Sequence, residues 1–323
     1  MKKIALMTSG GDSPGMNACI RAIVKTAIHH NVVPFGIYDG FQGMIEKRGS
    51  VMNYQNVDNI IYRGGTILGT ARSEEFRSVE GRKKAIEYLK EQEIDGLVVI
   101  GGDGSFMGAH LLGQEMDIPI IGLPGTIDND IYGTDHTIGF DTALNTVVEA
   151  IDKIRDTASS HHRVFFIEVM GRNAGFIALN SAIASGAESV LIPEEVTDVE
   201  KLVSQIKIQN KGRRSTIIVV AEGDDKGGAK DITEKVTPHL PGYNVRYSIL
   251  GHIQRGGSPS AIDRIIATRM GAHSVELLMK GESNLMVGVY GDKLSTCSIF
   301  DSINKNAVPE LTKLDLLEKL RTQ

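Results

Sequence analysis

Leu97-Val98-Val99-Ile100-Gly101-Gly102-Asp103-Gly104-Ser105 is the stretch whose reading decides the fold. Its apolar, β-branched start is short enough for a buried strand, and it ends in a glycine loop. A helix-compatible segment follows. Next come a second apolar run, Ile118 to Leu123, and a second loop, Pro124-Gly125-Thr126-Ile127-Asp128-Asn129-Asp130. This strand–loop–helix–strand–loop unit predicts an open α/β sheet whose loops leave the carboxyl ends of the strands, where such sheets bind ligands. The glycines let backbone N–H groups approach an anion closely. Asp103, Asp128 and Asp130 beside such a cradle suit a divalent cation and a proton transfer. One aspartate in a loop is usually a cap or an Asx turn. Two adjacent strand-end loops carrying three of them outweigh that reading.

The pattern extends in both directions. Ile4 to Met7 reads as a strand, followed by Ser9-Gly10-Gly11-Asp12-Ser13-Pro14-Gly15 and a helix with Ala18, Cys19, Ala22, Ile23 and Ala27 at helical spacing. A glycine loop opening a helix is a ready anion site. Met16 after Gly15 rules out a Walker A loop. With a second GGD loop present, the Gly11 backbone is expected to touch phosphate. Val32 to Tyr38 reads as a strand and residues 63–73 as a loop system. A helix over Asp141 to Thr157 and a strand over Val164 to Val169 lead to Met170-Gly171-Arg172. Further on come a helix over Ala174 to Gly186, strands Ser189 to Ile192 and Thr216 to Ala221, and a polar, glycine-rich loop, Gly223 to Gly228. Asn244 to Leu250 runs into Gly251-His252-Ile253-Gln254-Arg255-Gly256-Gly257, and Arg264 to Met279 has helical spacing. A short strand near Met286 to Tyr290 and a C-terminal helical stretch complete the chain. Strands alternating with helices predict parallel sheets covered by helices on both faces.

Composition narrows the function. At 323 residues, with 41% hydrophobic and 23% charged side chains, this is an ordinary globular chain long enough for two domains. A net charge of -5 argues against a nucleic-acid partner. Apolar runs fall short of the roughly 20 residues needed to span a bilayer, and the apolar run near the N-terminus is too short for a signal-peptide core. Cys19 and Cys297, far apart, indicate neither a metal knuckle nor a disulfide framework, so a reducing cytoplasm fits. His161 and His162 read as polar linkers rather than metal ligands.

Five stretches, SGGDSPGMN (9–17), GGDGS (101–105), PGTIDND (124–130), MGRNAG (170–175) and GHIQRGGSP (251–259), together resemble the bacterial ATP-dependent 6-phosphofructokinase family, in the family's order. GGDG alone is shared with NAD kinases; the other four stretches argue against one. The resemblance implies two Rossmann-like three-layer α/β domains with mainly parallel sheets and an active site in the cleft between them. The ATP-binding domain would be 1–139 plus 255–303, and the fructose-6-phosphate-binding domain 140–254 plus 304–323. It also implies roles for the motif residues. Asp128 would be the general base, with Arg72, Arg172 and Thr126 also catalytic. Gly11, Arg72, Ser73, Gly102, Asp103, Gly104 and Ser105 would bind ATP. Asp103 would hold Mg2+, with Asp130 assisting through water.

The sugar phosphate would meet Thr126, Ile127, Asp128, Arg163, Met170, Gly171, Arg172, Glu222, Arg246, His252, Ile253, Gln254 and Arg255. Single arginines are usually surface charges, but arginine forks suit bidentate phosphate binding. Pyrophosphate-dependent relatives carry Asp and Lys at positions 104 and 125; glycine at both points to ATP. Tagatose 6-phosphate, which differs only in stereochemistry, stays open as an acceptor. A non-catalytic nucleotide sensor on the same fold is opposed by the intact Asp103, Asp128, Arg72 and Arg172.

Arg21 and Lys25 lie one helical turn apart, a spacing that usually marks a solvated face. The resemblance instead implies an effector site with Arg155, Gly186, Ala187, Glu188, Lys211, Arg213, Arg214 and Ser215, activated by ADP and inhibited by phosphoenolpyruvate. Lys25, the Arg213-Arg214-Ser215 run and Phe176, where the family often has Asp, depart from the common pattern. The implied assembly is a homotetramer with shared sites.

Overall fold

The computed structural model describes residues 1–161, 163–209 and 215–320. The chain begins with β1 (Lys3–Thr8), α1 (Met16–His29), β2 (Val33–Ile37), α2 (Gly40–Ile45), β3 (Gly49–Val51) and α3 (Val79–Glu91). It continues through β4 (Gly96–Gly101), α4 (Asp103–Glu115), β5 (Ile120–Pro124), α5 (Phe140–Ser160), β6 (Arg163–Val169), α6 (Phe176–Ser185), β7 (Ser189–Leu191) and α7 (Val199–Gln209). The last third holds β8 (Ser215–Ala221), α8 (Ala229–Val236), β9 (Asn244–Ile249), α9 (Ala261–Met279), β10 (Leu285–Tyr290), β11 (Lys293–Ser298), α10 (Ile299–Asn304) and α11 (Thr312–Leu320). Two compact units result. One holds Met1–Ile127, Ile131–Thr142 and Arg255–Ala307; the other holds Asp128–Asp130, Ala143–Gln254 and Val308–Gln323.

The first unit is built on a sheet of order β11-β10-β5-β4-β1-β2-β3, parallel from β10 to β2 and antiparallel at both edges. Its central strands are buried on both faces, which is why they read as continuous apolar runs. Successive side chains of a strand point to opposite faces. Ile4, Leu6, Val98 and Ile100 pack with α1 and α9. Ala5, Met7, Leu97 and Val99 pack with Phe106 of α4 and with Ala85, Tyr88 and Leu89 of α3. Each large side chain so buried contributes about 1.5–3 kcal/mol relative to exposure. The strand order reverses direction between β1 and β4. The Ser9–Gly15 and Gly101–Ser105 loops flank that switch point, where open α/β sheets hold ligands.

The second unit has a four-stranded sheet, β7-β8-β6-β9, parallel throughout. Val164, Phe166, Ile218 and Val220 pack with Leu202 and Ile206 of α7 and with Ile232 and Val236 of α8, while α6 lies against β7 and β8. Among the described residues, no helix is long and apolar enough to cross a membrane.

Some elements have no counterpart in the sequence reading. β11 is polar and half-exposed, so it carries no apolar alternation; it forms by hairpin pairing with β10 around Gly291, whose φ is 54°. Gly291-Asp292 was its available signal. α3 carries one too: Ser78 caps it by accepting from Gly81 N at 3.0 Å. The 223–228 loop is a hydrogen-bonded turn, with Gly227 N donating to Asp224 O at 3.0 Å.

Candidate active site

In the first unit the glycine loops are fastened to one another. Ser9 N donates to Ile100 O at 3.0 Å, and Gly125 N to Gly101 O at 3.0 Å. Ser105 is wedged between the loops: a Cβ at Gly10 would meet its Oγ at 3.2 Å, and one at Gly101 at 2.5 Å. Both α1 and α4 start at glycine N-caps, Gly15 and Gly102, without a side-chain cap, which leaves N–H groups at the helix starts for an anion. Asp103 stands in the first turn of α4.

The loop around residues 63–73 is held onto this edge. Asn17 accepts from Ile67 N at 2.8 Å and donates to Arg63 O and Gly64 O, while Thr70 Oγ1 donates to Gly10 O at 2.7 Å. Sequence reasoning assigned no role to Asn17 or Thr70, because Ile67 lies 50 residues from Asn17 in the chain and Gly10 lies 60 from Thr70. Arg72 is exposed, and Ser73 donates to Gln42 Oε1 at 2.6 Å. The Arg255 guanidinium occupies the space where a Gly11 side chain would go and reaches Asp12 O at 3.4 Å. Thr126 O accepts from Thr137 Oγ1 at 2.6 Å, and Ile127 is fully buried, so its side chain belongs to the core.

One carboxylate at a helix start, beside loops able to hold phosphates, suits Mg2+, which takes one or two carboxylates plus phosphate oxygens and water. Among the described residues, no group of three or more His, Cys, Asp or Glu side chains could hold a metal ion by itself. The donor set fits a cation that arrives with phosphate ligands.

In the second unit, Asp128 is 1% exposed, and its Oδ2 lies 3.3 Å from Arg172 Nε. Arg172 leaves the end of β6 on a turn held from two sides. Glu222, leaving β8, accepts from Arg172 N at 2.8 Å and Gly171 N at 3.3 Å. Gln254, fully buried, accepts from Met170 N at 3.2 Å and donates to Gly251 O at 3.0 Å. Gln254 thereby holds the turn in place. His252 and Ile253 are exposed beside it, and Asp130 is half-buried.

Arg163 and Arg246 stand elsewhere in this unit. In the β6–β9 ladder Arg163 pairs with Asn244 and Phe165 with Arg246, so both arginines lie on one face of the sheet. Arg246 is exposed, and the Arg163 Nε is buried with no hydrogen-bond partner among the described residues. Arg163 starts β6 and Met170 follows its end. At about 3.3 Å per residue they are roughly 23 Å apart, too far to hold one phosphate within one chain.

Of the residues expected at an effector site, Arg155 lies 3.4 Å from Glu188 Oε1 and donates to Ser185 O and Gly186 O at 3.0 Å. Gly186 ends α6 in left-handed backbone (φ 63°), Ala187 is buried, and Glu188 also accepts from Ile217 N at 2.7 Å. The Ser215 and Ser159 hydroxyls are 3.2 Å apart. In the first unit, Arg21 is half-buried on α1 and the Lys25 ammonium lies 5.7 Å from the Tyr54 ring centre. Lys211, Arg213 and Arg214 lie outside the described residues, as does His162.

The family model described as Phosphofructokinase matches residues 3–278. The chain is 52% identical over 322 residues to ATP-dependent 6-phosphofructokinase 2 of Bacteroides thetaiotaomicron, covering 99% of this chain and 98% of that protein. It is 52% identical over 323 residues to ATP-dependent 6-phosphofructokinase of Bacillus pumilus, covering 99% of each. Among solved structures, phosphofructokinase from Saccharomyces cerevisiae matches with a TM-score of 0.89 and 38% identity, over 99% of this chain; the match spans 47% of the yeast chain.

Proposed function

The chain belongs to the phosphofructokinase family, and from that premise we propose that it transfers the terminal phosphoryl group of ATP to the 1-hydroxyl of fructose 6-phosphate. The products are ADP and fructose 1,6-bisphosphate, which places the enzyme in glycolysis and in the cytoplasm. The observation that carries this reading is the buried Asp128 beside Arg172, on a turn braced by Glu222 and Gln254.

Phosphoryl transfer asks little covalent chemistry of a protein; it asks for positioning and charge compensation. Asp128 accepts the proton of the sugar 1-hydroxyl as that oxygen bonds to the terminal phosphorus of ATP and the bond from this phosphorus to the ADP oxygen breaks. Arg172 compensates the buried carboxylate and, with Arg72, the charge spreading over the transferred group. The glycine loops, Gly11, Gly102, Gly104, Ser73 and Ser105 bind the donor's phosphates, with Thr126 beside them. Asp103 would hold Mg2+, with Asp130 acting through water, and the ion would supply positive charge to the donor's phosphates. Met170, Gly171, Glu222, His252 and Arg255 line the sugar phosphate.

Arg163 and Arg246 serve the sugar phosphate of a neighbouring subunit, within a homotetramer. The distance of Arg163 from Met170 along β6 supports this, because the two ends of that strand cannot reach one phosphate; Arg246 lies on the same sheet face as Arg163. The Arg155–Glu188 pair, with Arg21, Lys25, Gly186, Ala187 and Ser215, supplies an effector site at which ADP activates and phosphoenolpyruvate inhibits. Lys211, Arg213 and Arg214 complete it.

A coupled assay of ADP release, run as kcat/KM over a panel of hexose phosphates with ATP and pyrophosphate as donors, tests the reaction. Fructose 6-phosphate with ATP is expected to lead the panel. Preference for another acceptor or for pyrophosphate would overturn the reading. Fructose 6-phosphate saturation curves that neither ADP nor phosphoenolpyruvate shifts would remove the regulatory part.

A further inference from the structure

We propose that Asp263 is a positioning residue for this phosphoryl transfer, its carboxylate forming a buried joint on which three of the motif loops are registered. The proposal rests on the reaction given above.

Locally, Asp263 has the makings of a capping box: Ser260 opens α9 and accepts from Asp263 N at 3.2 Å. In that motif the acid at this position reaches back to the N–H of the cap residue. Here it does not. Ser260 N donates instead to Thr142 Oγ1 at 2.9 Å. The Asp263 carboxylate turns onto residues more than 120 positions upstream. Oδ1 accepts from Gly139 N at 2.9 Å; Oδ2 accepts from Thr142 N at 2.8 Å and from Thr142 Oγ1 at 2.5 Å. Asp263 is 1% exposed, and its partners are all N–H and O–H donors. Burying a charge without a cation is costly, and α9 already has its cap in Ser260. What the carboxylate holds is the 137–142 segment.

That segment runs along the base of the PGTID loop. Ile138 N donates to Pro124 O at 2.8 Å, and Thr137 Oγ1 to Thr126 O at 2.6 Å. The same joint lies against the first glycine loop. A Cβ at Gly139 would meet Ser13 Cβ at 2.5 Å, and one at Gly15 would meet Ile138 at 2.7 Å and Asp263 Cβ at 3.5 Å. Through Ser260, the joint also anchors the far end of GHIQRGGSP. The donor-phosphate loop, the loop carrying Thr126 and the loop carrying Arg255 thus take their register from one carboxylate.

The test compares purified Asp263→Asn, Thr142→Val and Thr142→Ser with the wild type, measuring kcat, KM for ATP and fructose 6-phosphate, and thermal unfolding. Asn offers an N–H to an N–H donor, and Val removes the hydroxyl, whereas Ser keeps it. Asp263→Asn and Thr142→Val are expected to lower kcat about 10- to 100-fold, the penalty of small misplacements. KM for each substrate should change less than about threefold, because the loss falls on the transition state, and Thr142→Ser should restore kcat to near the wild-type value. Unchanged kcat in folded Asp263→Asn and Thr142→Val, whatever happens to their melting temperatures, overturns the proposal. A rise in KM alone does the same. Should Asp263→Asn fail to fold, the two Thr142 variants decide. An inactive wild type refutes the reaction itself; an active wild type with unaffected variants refutes only the positioning role.

Discussion

Asn129 (φ 57°) and Arg172 (φ 52°) hold left-handed backbone without being glycine. Such conformations are costly for L-residues and persist only where the surroundings enforce them. For Arg172 the enforcement is visible: Glu222 takes its N–H and that of Gly171. The strained turn aims a guanidinium at the buried Asp128. Replacing Asp128 with Asn keeps the volume and removes the proton acceptor. Turnover is expected to fall roughly 10²- to 10⁴-fold, while substrate KM values move much less; steady-state kinetics on folded protein would check it. Position 104 offers a test of donor choice. A Cβ there meets nothing within 4 Å, so Gly104→Asp should fold with a near-normal melting temperature. Its carboxylate would face the donor's phosphates, and like charges brought together cost several kcal/mol, so kcat/KM for MgATP should drop by about 100-fold. Wild-type MgATP kinetics in that variant would remove the glycine from the donor site.

At the scale of elements, α6 shows how a departure from the family pattern is accommodated. Phe176 stands at its first position, where an acidic residue would have favoured the helix N-terminus. Glu194, following β7, replaces it from a distance: its Oε1 accepts from Gly175 N at 2.9 Å. Glu194→Ala removes an acceptor and a favourable charge, and is expected to cost about 1 kcal/mol in urea unfolding. The turn after β8 carries a pH signature. Burial pushes the Asp224 carboxyl up, against the bonds it accepts from Lys226 N and Thr197 Oγ1. A folded pKa above the unfolded one means the folded state binds the proton more tightly. That stabilisation is full below the ordinary value near 3.8 and is lost as pH rises through the raised folded value. Asp224→Asn does not titrate, so its unfolding free energy should gain on the wild type across that window. A difference that stays constant with pH would contradict the assignment.

For the whole molecule, the separation of Arg163 from the Met170 turn, with Arg246 on the same sheet face as Arg163, makes the assembly part of the catalytic question. If the arginines serve a neighbour's sugar phosphate, subunit rotation would withdraw charge from that pocket and lower substrate affinity. An Asp128→Asn chain keeps Arg246, and an Arg246→Ser chain keeps Asp128. Co-refolded mixtures, with mixing verified by tagged co-purification, should then be more active than the average of the separate variants. Activity that merely averages would mean each site is built from one chain.

The sequence by itself determined the alternating strands and helices and marked the glycine-and-acid loops between them, because these are short-range properties. Buried parallel strands must be apolar on both faces, and glycines followed by an acid mark themselves wherever they occur. Asp103 and Asp128 stood out for that reason, whereas Arg172 drew a role only through the resemblance of MGRNAG to the family. Only the tertiary structure decided which distant groups fasten those loops. Glu222 lies 50 residues from Arg172 in the chain, and Asp263 more than 120 from Gly139. It likewise placed Arg255 over Gly11 and paired the polar edge strand β11. Such hydrogen bonds and close approaches have no sequence period. They arise only when folding buries a donor and an acceptor together and leaves neither access to water.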